Sequence, residues 1–579
     1  MRFLLILLCL IFHSASHAQD GLLLSGCVVD SLSGEALPYV TIVCNESNVG
    51  TVSDEQGYFE LAVLNMQHTL QSRYMGYSTK TVSAGAFLHI HRFELSEQKV
   101  VLDALVIRPD DIWIHDLLSK CKKKKYADVQ TSKAYFQLET SVDDEMVELI
   151  ESYYNANIEG YELKDLKIKN GRLGLKYING RAYLSGESSR AMQLFSFFDR
   201  NDYFPQTPLN TKSSQIRRHF SIEVVRRYHD ENNREIVIMN FNPKVDPKKY
   251  FYGKIWIDVA AECVLRMDVH MTDAEIYPFM SLWEEDSIAK VGMDISRYFH
   301  LVKERPVFDH LDFNYTLNYK SRGTVDYVVR SKAFLHFYDH DVPFHLPYFK
   351  FRKDRMGDYR NINAIPPQPQ FWQDSSQFRL EINRRRNDLF FSDSSVFTHD
   401  DLFRFNRKNK TGLYENPYMH WNGNRINLRE YVPDSTNMDP RYPQFPRDQY
   451  KLSVQLFLDD VEFGDSLRFV TSTVFDPYES YYNLPSDQKT QCFINMFFDL
   501  AESWRRTLVF ELRGVNNRSD VDRIYLQIME SWNKEADFFL SEVKRGENEI
   551  SMKRWNELLV ERIGIDNLFF FQLYGDTSP

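Results

Sequence analysis

The sequence predicts a multi-domain, mainly β protein: an N-terminal seven-stranded β-sandwich, a central large antiparallel curved sheet and a C-terminal helical bundle. Three observations predict it. A chain of 579 residues exceeds what one core holds. Its hydrophobic fraction of 43% and aromatic fraction of 15% supply several cores and argue against global disorder. The apolar period also changes along the chain, from strand-like alternation over the first 350 residues to helical spacing over the last hundred.

The N-terminus reads as a secretory signal over residues 1–18. Arg2 is the basic region, Phe3 to Phe12 the apolar region, and Ser16-His17-Ala18 places small residues for cleavage near Ala18. Leu24-Ser25-Gly26-Cys27 spells a lipobox, but a lipoprotein site should abut the apolar region, and HSASHAQDG intervenes. Residues 22–30 are therefore expected to form a strand, with Leu24 and Val28 inward and Cys27 on the outer face. Alternation puts Cys44 inward with Val40 and Ile42, which argues against a Cys27–Cys44 bridge. The six cysteines are widely spaced, without CxxC, and indicate neither a disulfide scaffold nor a zinc ribbon.

Residues 21–107 carry seven short strands punctuated by turns, the spacing of a sandwich. DSLSG is turn-forming. In NVGTVSDEQGYFEL, Asp54 can close an Asx-turn and Gly57 supplies a positive φ. Gly76-Tyr77 marks a further bend, and FLHIHRFEL and LDALVI are expected to close the set.

Gly26, Val28, Asp30, Gly34, Leu37, Pro38, Ser53, Asp54, Gly57, Phe59, Gly76 and Tyr77 together resemble the signature of the carboxypeptidase regulatory-like domain, a transthyretin-like sandwich. The resemblance covers about a seventh of the chain. It implies the fold and an exported, Gram-negative envelope setting, and no reaction.

From 108 to 350 a helix plus an antiparallel curved-sheet domain is expected. Ile112, Trp113, Leu117, Leu118 and Cys121 form a helical stripe ending in Lys122, Lys123, Lys124 and Lys125, a solvated helix end or a contact for a membrane surface. Long strands follow from Ala134 to Tyr348, with Asn170-Gly171-Arg172 read as a hairpin turn. Residues 253–269, GKIWIDVAAECVLRMDV, resemble the repeating hairpin of lipoprotein-carrier folds. Residues 351–448 read as a loop-rich Pro/Asn/Arg segment, and 449–579 as two strands and a helical region, whose first helix carries Cys492, Phe493, Met496, Phe497 and Leu500 on one face.

The triplet His91-Arg92-Phe93-Glu94 has the spacing of a zinc carboxypeptidase motif, but in a strand positions i and i+3 point to opposite faces. There is no HExxH, GxSxG or phosphate-binding glycine loop. HFYDHDVPFH holds the densest His/Asp cluster: a metal could use His340 with Asp341 or His336, but a strand end followed by a polar turn before Pro343 is the expected reading, and no metal site is expected. LWEEDSI, with Glu284, Glu285 and Asp286, reads as a solvated turn.

These features predict an exported envelope protein with a non-catalytic binding, scaffolding or assembly role, no cofactor, and an envelope protein, glycan or lipid as partner. The net charge of −11 speaks against nucleic acid. The alternatives are a hydrolase acting on glycan or peptide and an outer-membrane receptor relative. An open concave sheet with an apolar interior would favour a lipid- or partner-binding role.

Overall fold

The structure is a computed structural model. It describes residues 22–574 apart from 47–48, 55, 64, 99–111, 125, 127, 179–180, 183–187, 231, 281–285, 322–324, 352–357, 375–380, 399–417, 427–449, 464–465, 477–478 and 483–486. The signal segment, LDALVI, Lys125, Glu284 and Glu285 lie outside the described residues.

The first unit is built from β1 (Leu22–Asp30), β2 (Thr41–Cys44), β3 (Val49–Val52), β4 (Tyr58–Val63), β5 (Thr69–Arg73), β6 (Lys80–Ser83), a short helix α1 (Ala84–Ile90) and β7 (Arg92–Leu95). One sheet runs β4-β1-β7 and the other β3-β2-β5-β6. Leu24, Val28, Ile42, Cys44, Phe59 and Leu61 meet between them, as alternation requires, while Cys27 is half-buried on the far face.

The signature residues are turn-makers and spacers. Asp30 accepts from the backbone N–H of Leu32 (2.8 Å) and Ser33 (2.7 Å), and these bonds hold its carboxyl below the ordinary range. Asp54 likewise accepts from the backbone N–H of Gln56 (2.9 Å) and Tyr58 (2.8 Å). Gly57 turns at φ 78°, where a Cβ would sit 2.5 Å from the Val28 carbonyl oxygen. Part of the stretch read as a strand in FLHIHRFEL is α1. The Ser83 hydroxyl caps it at Ala86 N–H (3.2 Å), and His91 ends it in the left-handed region at φ 48°.

The second unit begins with α2 (Ile112–Lys123) and then β8 (Val129–Val142), β9 (Glu145–Glu159), β10 (Glu162–Ile178) and β11 (Arg181–Ala182). After α3 (Ser188–Leu194) and α4 (Ser213–His219) come β12 (Phe220–His229), β13 (Glu235–Pro243), β14 (Tyr252–Asp258), β15 (Cys263–Ala274), β16 (Ser287–Val302), β17 (Arg305–Ser321) and β18 (Val325–Tyr338). The strand order is β11-β10-β9-β8-β18-β17-β16-β15-β14-β13-β12, antiparallel throughout.

That order explains how one face is covered. The chain leaves the edge at β11 and must reach the opposite edge at β12, so the connection crosses a face of the sheet. It crosses the inner one, burying Phe195, Phe197, Phe204, Leu209 and Ile216 against it beside Leu117 and Leu118 of α2. Arg297, fully buried on β16, anchors this crossing by donating to the carbonyls of Tyr161 (3.1 Å), Met192 (3.2 Å) and Phe195, with its guanidinium 4.8 Å from the Phe195 ring centroid. The inner face is thus packed with the protein's own side chains.

Two local readings change here. Asn170-Gly171-Arg172 is the middle of β10, beside a register shift between Ile168 and Asn170. Gly171 is where α5 (Asp358–Asn363) comes closest: a Cβ there would lie 2.5 Å from Ile362 Cγ1. Asp286, read as part of a solvated turn, is buried and accepts from the Tyr319 hydroxyl at 2.7 Å.

The stretch read as loop-rich contains α5, α6 (Pro369–Asp374), α7 (Glu381–Ser392) and β19 (Val396–Thr398), which adds to β10. Beyond it are β20 (Met419–His420), β21 (Tyr450–Lys451), β22 (Val454–Phe463), β23 (Ser466–Phe475), β24 (Tyr481–Tyr482), α8 (Gln488–Glu511), α9 (Arg518–Val543), α10 (Glu549–Ile563) and α11 (Asn567–Phe570). β22 is buried on both faces: Phe457 joins the core of the large sheet, while Leu456 and Leu458 join the helical core of Phe493, Phe497, Trp532, Phe539 and Trp555. Side-chain caps at Asp487, Asn517 and Asn548 start the three long helices. Among the described residues no helix is long and apolar enough to cross a membrane.

Candidate functional site

The outer face of the large sheet carries one continuous row of side chains. Cross-strand register aligns Trp256, Arg266, Tyr298, His310, His336, Tyr135 and Tyr153 on β14, β15, β16, β17, β18, β8 and β9. The Arg266 guanidinium lies 4.5 Å from the Trp256 ring centroid and 4.4 Å from that of Tyr298. Tyr298 stacks on His310 with centroids 4.0 Å apart and planes at 20°.

The sandwich sits over the middle of this row. Tyr39 stacks on Phe334 at 5.4 Å, the Thr41 hydroxyl donates to Asp309 Oδ2 at 3.3 Å, and Glu97 pairs with Arg226 at 3.4 Å. Between the two units lies a cleft of about 840 Å³. Its sandwich wall includes Tyr39, Arg73, Tyr74 and Tyr77, and its sheet wall includes Tyr298, Asp309, His310, His336 and Tyr338.

Asp309 reaches this face because of a bulge. β16 and β17 pair Tyr298 with His310 and Phe299 with Phe308, so Asp309 is an extra residue between them. Phe308 stays in the inner core while Asp309 and His310 both face the cleft. His310 Nδ1 donates to Asp309 Oδ2 at 3.0 Å, and a nitrogen of each of His310 and His336 and an oxygen of Asp309 lie within 4.8 Å of one another.

Electrostatics follow from this packing. Burial would raise the Asp309 carboxyl, but the His310 hydrogen bond and the neighbouring imidazoles outweigh it and hold the group well below the ordinary range. Burial pushes His336 down to about 4, against the opposing pull of Asp309.

Of the sequence candidates, His336 falls in this cluster. His340 lines the same cleft outside this triad, its Nδ1 2.6 Å from the Ser132 hydroxyl, and Asp341 is exposed on the following turn. His91 and Glu94 are engaged separately, with the Ser25 carbonyl (3.2 Å) and Arg92 (3.5 Å). Lys122 and Lys124 donate to the carbonyls of Thr211 and Ala261, so two of the four lysines tie α2 to the fold.

Nothing local in the sequence marks Asp309 and His310. They meet His336 only through the β17–β18 register, and Asp309 only through the bulge. A second cluster lies in the sandwich: Cys44 Sγ is 3.5 Å from His68 Nδ1 and 4.0 Å from Glu46 Oε2. Glu46 is already bound to the Thr69 N–H and hydroxyl, both at 2.7 Å.

A small sandwich docked on one face of a long antiparallel sheet, with a polar aromatic cleft between them, defines a multi-domain, mainly β protein with a cleft between its units. The sandwich is a CarboxypepD_reg-like domain, whose family model matches residues 24–107. No curated protein matches the chain. Among solved structures, the chain is similar to the MucA/MucB complex of Pseudomonas aeruginosa (9% identity over 38% of this chain and 92% of that one, TM-score 0.14). It is also similar to the LolA superfamily protein NE2245 of Nitrosomonas europaea (10% identity, 42% and 98%, TM-score 0.16). At such scores neither likeness bears on ligand or mechanism.

Proposed function

We propose that the protein is an exported, non-catalytic binding protein of the cell envelope, and that it holds a glycan in the cleft between sandwich and sheet. The signal-like Arg2, Phe3–Phe12 and Ser16–Ala18 pattern supports export. The envelope setting implied by the CarboxypepD_reg-like sandwich supports the location.

The observation that carries the reading is the cleft. It lies at a boundary between units, and its volume of about 840 Å³ is in the range of small-molecule sites. Tyr39, Tyr74, Tyr77 and Tyr338 bring aromatic groups, and Arg73, Asn45, Gln71 and Asn232 bring hydrogen-bonding groups. A sugar ring, apolar on its C–H face and polar at its edge, matches that mixture. The inner face, where a lipid would lie in an open half-barrel, is filled by Phe195, Phe197 and Phe204.

Saturation-transfer NMR of the mature chain against a panel of cell-wall and surface oligosaccharides tests this. The expected result is saturable binding weakened at least tenfold by Tyr74→Ala and by Arg73→Ala. Binding indifferent to both changes, or a panel without any binder, overturns the proposal.

A further inference from the structure

The geometry points to a zinc-type divalent metal site made by Asp309, His310 and His336 in the sheet wall of the cleft. Zinc takes nitrogen at about 2.0–2.1 Å and carboxylate oxygen at about 2.0–2.2 Å, so two ligands of one tetrahedral ion stand about 3.3–3.5 Å apart. His310 Nδ1 and Asp309 Oδ2 stand 3.0 Å apart, a few tenths of an ångström inside that spacing, and all three groups converge within 4.8 Å.

The scaffold beneath them is rigid in the sense a metal site requires. His310 and His336 are directly opposed on adjacent strands, with side chains 2% and 4% exposed. Their rings are fixed by stacking, His310 under Tyr298 and His336 between Phe334 (6.2 Å) and Tyr338 (6.2 Å). Thr41 holds the carboxylate from the sandwich side by donating to Oδ2, the oxygen that also faces His310. His310 Nε2 is buried without a hydrogen-bond partner, its nearest carboxylate being Asp312 at 3.9 Å.

Two imidazoles and one carboxylate are a donor set that zinc accepts with a fourth position left for an exchangeable ligand. All three groups line the cleft, so that fourth position opens onto it. The site is independent of the glycan reading, and its test contains no sugar.

The mature full-length chain, stripped with EDTA, is titrated with Co²⁺ by visible absorption and with Zn²⁺ by calorimetry. One equivalent is expected to bind with a d–d spectrum of low coordination number. Affinity should fall at least tenfold in His336→Ala and in Asp309→Asn, and remain unchanged in Cys44→Ser, which disables the other cluster. Crystals soaked in Zn²⁺ give a second readout that needs no variant: an anomalous peak among the three residues. Absence of stoichiometric binding, a peak elsewhere, or loss of binding in Cys44→Ser with retention in His336→Ala overturns the assignment.

Discussion

Thr41 and Asp309 stand 268 positions apart in the chain and meet through a 3.3 Å hydrogen bond from the Thr41 hydroxyl to the Asp309 carboxylate. The bond joins the sandwich to the sheet at the wall of the cleft, beside the Tyr39–Phe334 stack. How firmly the two units hold one another, and so how well the cleft is formed, depends on contacts of this kind.

Thr41→Val keeps the shape of the side chain and removes the hydroxyl. The expected cost is about 1 kcal/mol at the interface, the usual worth of one such bond. Hydrogen exchange should quicken in 39–44 and 307–311 while the helical core is unaffected. Unchanged exchange at both segments would show that this bond does not hold the units together.

A second joint ties the large sheet to the C-terminal unit. Lys169, 4% exposed, donates to Asp459 Oδ1 at 2.5 Å and to the carbonyls of His345 (2.7 Å) and Asp460 (2.9 Å). Asp459 is wholly buried, and burial raises its carboxyl against the pull of Lys169. Lys169→Met strands that carboxylate, so urea unfolding should show a loss of about 3–5 kcal/mol. Lys169→Met combined with Asp459→Leu should recover most of it. A double variant as unstable as the single one would refute the charge argument.

Asp358 makes stability depend on pH. Burial raises its carboxyl above the ordinary range, against hydrogen bonds from the Tyr154 hydroxyl (2.7 Å) and from the Ser189 N–H (3.3 Å) and hydroxyl. A carboxyl whose folded pKa is raised stabilises the fold below the unfolded value, and that contribution is lost as pH rises through the folded value. Asp358→Asn has no such titration. Its stability relative to wild type should therefore climb as pH rises from the ordinary carboxylate range toward neutral. Urea midpoints measured across that range should diverge; parallel midpoints would contradict the raised carboxyl.

Much of the fold was legible because its cues are local. Leu24, Val28, Ile42 and Cys44 alternate at the period of a strand, and all four are buried in the sandwich core. Asp54 and Gly57 name their own turn. Cys492, Phe493, Met496, Phe497 and Leu500 mark the buried face of α8. Misreadings arose where tertiary contact overrides a local cue. Asn170-Gly171 has hairpin letters, yet its glycine lies mid-strand so that Ile362 can approach.

The candidate site shows the same division more sharply. Sequence alone determined that the chain is mainly β, that a CarboxypepD_reg-like sandwich leads it, and that histidines and aspartates concentrate around 336–345. It could not supply the partners of His336, because side chains meet across strands by register, and register depends on the whole ladder. Only the tertiary structure placed His310 opposite His336, turned Asp309 outward through a one-residue bulge, and closed the wall with Thr41 from another unit. Periodicity is written in neighbouring residues, whereas convergence is decided by which strands pair and where a ladder slips by one.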